Sequence, residues 1–207
     1  MPKESFDQVK EIANEIEGWL EDDEAKLLYD CAKKCKGNGV IVEIGSWKGK
    51  SSIYLAKGAI NGNNPEIYTI DPHITSTGEP NGSLEDYKKN MEKAGLSDKI
   101  THIVEKSEDA VKNFNKPVEF IFIDGFHKYE SVKLDFEEWS KWVIDDGFIA
   151  LHDVRSWLGP KQLAKEIDRD YDNYRFIEYI DETLLIQKIR KKNSFDEEKN
   201  KDILKLF

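Results

Sequence analysis

Apolar residues in this chain alternate between two rhythms. Short runs at 40–44 (VIVEI), 66–70 (EIYTI), 99–104 (KITHIV), 118–123 (VEFIFI) and 148–151 (FIAL) have the length and β-branched content of buried strands. Between and after them, 51–56, 84–94, 107–114, 129–143 and 160–170 read as helices; Val132, Phe136, Trp139 and Val143, for example, share one face of 129–143. Strands alternating with helices predict a parallel sheet covered on both faces. The last two runs, 174–179 (YRFIEY) and 183–189 (TLLIQKI), are linked through Asp181 and Glu182. That link is too short for a crossover, so a hairpin is expected and one of the two strands must oppose the rest. At the other end, Phe6, Val9, Ile12, Ile16 and Trp19 or Leu20 form a stripe that predicts a helix over 5–20. Ala25, Leu27, Leu28 and Cys31 predict a second helix over 23–36, stopped by Gly37 and Gly39. Residues 190–202 are strongly charged and read as a frayed segment before a short apolar end, Ile203, Leu204, Leu206 and Phe207, suited to docking or self-association.

The stretch 40–56, VIVEIGSWKGKSSIYLA, combines a strand, a tight turn and a helix start, which together describe a nucleotide cradle. Gly45 and Gly49 permit backbone angles and close approaches that a side chain would forbid. The spacing is neither G-x-G-x-x-G nor G-x-x-x-x-G-K-[ST], because Trp47 takes the middle position. Glu43 lies inside the strand, where a carboxylate would repel a pyrophosphate. The expected guest is therefore a nucleoside without phosphates, and a positively charged one fits best.

The other strands end in chemistry-bearing residues. The second ends in Asp71, at the distance past the glycine turn where a carboxylate accepts hydrogen bonds from both hydroxyls of a ribose. The polar loop 73–83 that follows is long enough to act as a lid. Ser107 is suited to cap the helix after the third strand, and Ser107 with Glu108 stands where an adenine edge would lie. The fourth strand ends in Asp124-Gly125-Phe126-His127 and the fifth in His152-Asp153. Asp124, His152 and Asp153 could give a divalent ion three ligands of oxygen and nitrogen character; otherwise such strand-end acids cap helices or bond one another.

Composition narrows the partners. A chain of 207 residues with 39% hydrophobic content can bury one sizeable core, and the formal charge of −10 argues against a nucleic-acid partner. Cys31 and Cys35 read as ordinary thiols of a reducing compartment. With no signal peptide and no apolar run near twenty residues, no membrane association and a cytoplasmic location are expected.

Five strand–helix units and a terminal hairpin give the order of the class I S-adenosylmethionine-dependent methyltransferases, and the motifs sharpen that resemblance. VEIGSWKGKSS is similar to the cofactor motif of the catechol and caffeoyl-coenzyme A O-methyltransferase group. It is closer still to the small family that includes macrocin-type and cephalosporin-hydroxylase-like proteins, whose signature IDGFHKYESVKLDFEEW and GFIALHDV also resemble. The resemblance covers about 40–154. It implies an α/β fold, a doubly wound, mostly parallel, seven-stranded Rossmann-like sheet with a terminal antiparallel hairpin. That sheet would lie in one domain, 1–207, made of N-terminal helices (1–38), catalytic core (39–189) and charged tail (190–207).

For the site, the resemblance implies that Glu43, Gly45, Ser46, Gly49 and Ser51 surround the methionine part of S-adenosylmethionine, Asp71 holds its ribose, and Ser107 and Glu108 flank its adenine. Asp124, His152 and Asp153 fall on the metal positions, with a histidine where the catechol-type enzymes carry a carboxylate, so Mg²⁺ competes with softer ions such as Mn²⁺ or Fe²⁺. His127 falls on the position of the catechol-type general base, a lysine three residues past the first metal acid, and its ordinary pKa suits that role. The expected activity is metal-assisted O-methylation of a small hydroxylated substrate, a sugar or phenol diol, by an enzyme able to form a homodimer. The rival readings are a cofactor-binding regulatory module without catalysis, a metal-dependent hydroxylase-like enzyme, and a nicotinamide-dependent oxidoreductase.

Overall fold

The structure is a computed structural model that describes residues 3–75 and 77–207; Ser76 of the expected lid lies outside the described residues. Seven strands form one sheet in the order β3-β2-β1-β4-β5-β7-β6. They are β1 (Val40–Ile44), β2 (Ile67–Ile70), β3 (Ile100–Ile103), β4 (Val118–Ile123), β5 (Val143–Leu151), β6 (Tyr174–Ile180) and β7 (Thr183–Lys188). The first five are mutually parallel, while β7 runs antiparallel to both β5 and β6. The expected doubly wound sheet with its terminal hairpin is what forms.

Among the described residues eight α-helices cover it: α1 (Phe6–Ala13), α2 (Asp22–Lys34), α3 (Lys50–Asn61), α4 (Ser83–Lys93), α5 (Ser107–Ala110), α6 (Tyr129–Trp139), α7 (Leu158–Asp170) and α8 (Ser194–Leu204). Alternation along the strands splits the core into two layers. Ile41, Phe120, Phe122, Ala150 and Leu185 face α1 to α4. Val42, Ile44, Ile121, Ile149 and Ile186 face α5 to α8. Cys31 and Cys35 are free, and burial pushes both thiols up to about 12, which leaves them unreactive.

Three elements depart from the hydrophobic pattern. The first helix stops at Ala13, not at residue 20, because the stripe beyond it serves a different contact. Lys48 pairs with Glu17 at 2.8 Å and the Lys50 amine donates to the Gly18 carbonyl at 3.2 Å, which ties the segment to the cradle. Trp19 then stacks on Trp47 with ring centres 4.9 Å apart. Similarly, α6 ends at Trp139, and Val143 begins β5, where it pairs with Val118. The charged segment 190–202 is not frayed, since Asn193 caps α8 by accepting from the N–H groups of Phe195 and Asp196. Asp196, Asn200 and Ile203 are buried, and α8 covers the edge strand β6.

Among the described residues no helix is long and apolar enough to cross a membrane.

Candidate active site at the carboxyl edge of the sheet

The strand order reverses between β1 and β4, where successive crossovers leave to opposite sides and a crevice opens. A cleft of about 1120 Å³ lies there. Gly45 sets how tightly its floor can close. With φ at +86°, a Cβ at this position would stand 2.0 Å from the Asp124 carbonyl oxygen, so only glycine lets the ends of β1 and β4 meet.

The turn after Gly45 is locked to the end of β2. Trp47, held in the left-handed region at φ +42°, donates its N–H to Asp71 Oδ2 at 2.7 Å. His73, at φ +51°, donates its N–H to Asp71 Oδ1, also at 2.7 Å. Both carboxylate oxygens keep a further lone pair, and Asp71 lines the cleft with Gly45 and Ser51.

Glu43, Ser46 and Gly49 do not line it. Glu43 is fully buried behind the cradle, takes a hydrogen bond from the Ser52 hydroxyl, and is pushed up to about 8 by its burial. It is therefore mostly protonated at neutral pH, and the negative charge at the cleft comes from Asp71, Asp124 and Asp153 rather than from Glu43. Glu43 Oε1 and Ser46 Oγ are buried without a hydrogen-bond partner directly behind the turn. Gly49 caps α3 at φ +88°, and a Cβ there would meet Met91 Cε at 2.5 Å.

On the opposite wall, Ser107 and Glu108 line the cleft from α5. Lys106, not Ser107, is the N-cap of that helix, and the Ser107 hydroxyl instead donates to Asp135 on α6. Burial lifts Asp135 to about 6.

Asp124, His152 and Asp153 converge at the ends of β4 and β5, each offering a ligand atom within 4.8 Å of the others. His152 Nδ1 lies 3.1 Å from Asp124 Oδ1 and 3.3 Å from Asp153 Oδ2. Two carboxylates and one imidazole make a donor set suited to a divalent ion of borderline character. His127 Nε2 stands 2.6 Å from Asp153 Oδ2 and 3.8 Å from Asp124 Oδ1, and the indole of Trp157 covers its ring at 4.5 Å. Burial pulls the His127 imidazole down, but its hydrogen bonds and charge pairing with Asp124 and Asp153 together outweigh that and hold it up at about 9. For His152 burial is likewise outweighed, by Asp124 first and then Asp153 and Glu24, and the ring is held far above the ordinary histidine range. Asp153 is kept below the usual carboxylate range because contacts with His127 and His152 overcome its burial.

Several contributors escape the sequence pattern. Glu24 of α2 reaches within 3.4 Å of His152 Nε2, yet in the sequence it is only one acid of an acidic helix start. His73 and His102 meet at 2.9 Å through their Nε2 atoms behind Asp71. The one signal for that pair was a histidine at position 102, inside an otherwise strand-like run.

A family model described as a methyltransferase domain matches residues 42–154. Solved structures of similar fold include the O-methyltransferase TomG from Streptomyces achromogenes, involved in tomaymycin synthesis and crystallised with S-adenosylmethionine. It is 16% identical, with a TM-score of 0.63 over 91% of each chain. An O-methyltransferase from Bacillus cereus, in complex with S-adenosylhomocysteine, is 17% identical with a TM-score of 0.65, over 92% of this chain and 93% of that one. The O-methyltransferase NovP is 17% identical with a TM-score of 0.69, over 82% of this chain and 81% of that one.

Proposed function

We propose, for a chain that belongs to the methyltransferase-domain family, metal-assisted transfer of the methyl group of S-adenosylmethionine to an oxygen of a small hydroxylated substrate such as a sugar or phenol diol. The observation that carries this reading is the meeting of Asp71, Asp124, Asp153 and His127 on one cleft beside a glycine-floored turn. TomG and the Bacillus cereus enzyme, which share the fold, were crystallised with S-adenosylmethionine and S-adenosylhomocysteine.

The cradle fits such a cofactor. Gly45 and Ser51 face its methionine part, while the unpartnered Glu43 Oε1 and Ser46 Oγ lie close behind the turn, ready for polar groups that a side-chain shift would bring into reach. Asp71 accepts hydrogen bonds from the ribose hydroxyls, and Ser107 with Glu108 flanks the adenine. When bound, the sulfonium supplies an electrophilic methyl group. Asp71, Asp124 and Asp153 favour its positive charge over a pyrophosphate.

Asp124, His152 and Asp153 would hold a divalent ion, Mg²⁺ or Mn²⁺, whose chemistry is to lower the pKa of a substrate hydroxyl and fix its position. Contrary to the ordinary pKa expected of it, His127 is held up at about 9 by Asp124 and Asp153. With those carboxylates engaged in holding a divalent ion, that hold would be relieved and Nε2 would then be free to accept the hydroxyl proton. Trp157 shields one face of that imidazole from water and keeps its orientation. Orienting the nucleophile accounts for much of what such a site contributes.

The test is methyl transfer from labelled S-adenosylmethionine to a panel of vicinal diols, with Mg²⁺, Mn²⁺ or a chelator. Asp124→Asn and Asp153→Asn should each lower turnover by about 100-fold or more, as loss of a group that positions the reacting oxygen does. The metal-assisted reading fails if both variants keep full activity in the presence of the chelator.

A further inference from the structure

The histidine at the metal position has a requirement that a carboxylate there would not. A carboxylate can ligate through either oxygen, whereas an imidazole ligates only through the nitrogen that carries no proton. Which nitrogen that is depends on what the other one touches. In this protein the other nitrogen touches a residue from outside the 42–154 region that the family model matches.

Glu24 sits in the first turn of α2 and is 1% exposed, and His152 is 5% exposed. Glu24 Oε1 accepts a hydrogen bond from the Thr183 hydroxyl at 2.6 Å and from the Glu182 N–H at 3.0 Å, and lies 3.4 Å from His152 Nε2. Its other oxygen accepts the Glu21 N–H at 3.1 Å. The carboxylate is thus pinned by the hairpin between β6 and β7 and by its own helix. His152 Nε2 is buried and makes no aligned hydrogen bond, and the Glu24 carboxylate, at 3.4 Å, is the charged group it faces. On the far side of the ring, Nδ1 faces Asp124 and Asp153, and Phe122 meets the imidazole edge-on at 5.7 Å. Flipping the ring would set a carbon against Glu24.

We propose that Glu24 is a positioning residue: its carboxylate, an acceptor only, keeps a proton on Nε2 of His152, so that Nδ1 is the nitrogen offered beside Asp124 and Asp153 to a divalent ion. With acids facing both nitrogens, the metal-free ring carries both protons, and a bound divalent ion would stand in place of the one on Nδ1 while Glu24 keeps the one on Nε2. Without Glu24 the Nε2 proton would be the easier to lose, and the ligand position would stay closed. The N-terminal helix pair thereby completes a site built on the ends of β4 and β5. This inference rests on the metal reading of that site, and its test separates the two.

The measurements are Mn²⁺ binding by calorimetry to the full-length, metal-stripped protein, and exchange of the His152 ring protons followed by NMR without metal. Glu24→Gln keeps the side-chain shape and an acceptor for Thr183 but lacks the charge; it should weaken Mn²⁺ binding by about 10-fold, and Glu24→Ala by up to about 100-fold. In a His152→Asp background, where no tautomer exists to be chosen, Glu24→Gln should leave Mn²⁺ affinity unchanged. The Nε2 proton should exchange slowly in the wild type and rapidly in Glu24→Ala. Unchanged Mn²⁺ affinity in both Glu24 variants overturns the proposal, as does an equal loss in the His152→Asp background. A freely exchanging Nε2 proton in the wild type overturns it too. If the wild type binds no Mn²⁺ at all, the metal reading falls, while the ring-proton exchange still decides whether Glu24 holds Nε2.

Discussion

Glu43 was placed at the cradle by its position in the strand, but its environment decides what it can do there. It is sealed beneath α3 with Ser52 as its hydrogen-bond partner, and burial raises it from 4.5 to about 8. A carboxyl raised in the folded state binds its proton more tightly than in the unfolded chain. Its contribution to stability is therefore full below pH 4.5 and is lost as pH climbs through about 8. Across that window the loss is at most about 1.4 kcal/mol per pH unit. Glu43→Gln does not titrate and still has an oxygen for Ser52, so its melting temperature should fall less between pH 5 and pH 8 than that of the wild type, measured by calorimetry without cofactor. Parallel curves would mean that Glu43 is ionised in the native protein. The place of Glu43 near a strand end was legible, as were those of Asp71, Asp124 and His152, from the apolar runs that precede them. Charge state was not legible, since it depends on neighbours distant in sequence.

Among the elements, regular apolar patterns gave the strands and most helices, and failures came where polar groups are buried or apolar groups are exposed. Trp19 continues the stripe of α1 but is 79% exposed and stacked on Trp47, so periodicity carried the expected helix past its true end. The converse holds for α8, whose inner face is partly polar. Asn200 accepts the Phe176 N–H at 2.7 Å and donates to Asp168 at 2.9 Å, satisfying a backbone donor of the edge strand β6. A pattern of hydrophobic and polar letters cannot separate such a residue from a solvated one. Asn200→Ala should cost about 1–3 kcal/mol, because it leaves a buried N–H unpaired, whereas Glu198→Ala, at an exposed position of the same helix, should change stability by less than about 0.5 kcal/mol. Urea unfolding of the two variants measures the difference. Equal stabilities would return 190–202 to the frayed segment that its charge suggested.

At the scale of the whole molecule, the cleft follows from the sheet order alone: parallel strands that reverse direction of winding between β1 and β4 leave a crevice beyond their carboxyl ends. Strand ends are fixed by the chain pattern, so residues from distant parts of the sequence, Asp71, Asp124 and Asp153 among them, meet on one rim. What the pattern could not supply was the closure of that rim by the segment before α2, where Gly18, Trp19 and Leu20 join the cleft wall. A ligand in this cleft touches segments from both halves of the sheet as well as that N-terminal strap, and it has no equivalent site in the unfolded chain. Its binding free energy therefore adds to the stability of the whole fold. S-adenosylhomocysteine at 100 times its Kd should contribute about 2.7 kcal/mol, which for a chain of this size raises Tm by roughly 5–10 °C. Asp71→Asn should shrink that shift, because an amide offers one acceptor where two are used by the Trp47 and His73 N–H groups. NADH should produce no shift, since Asp71, Asp124 and Asp153 oppose a pyrophosphate. A larger shift with NADH than with S-adenosylhomocysteine, read by differential scanning fluorimetry, would mean that the acidic rim does not select a cationic nucleoside.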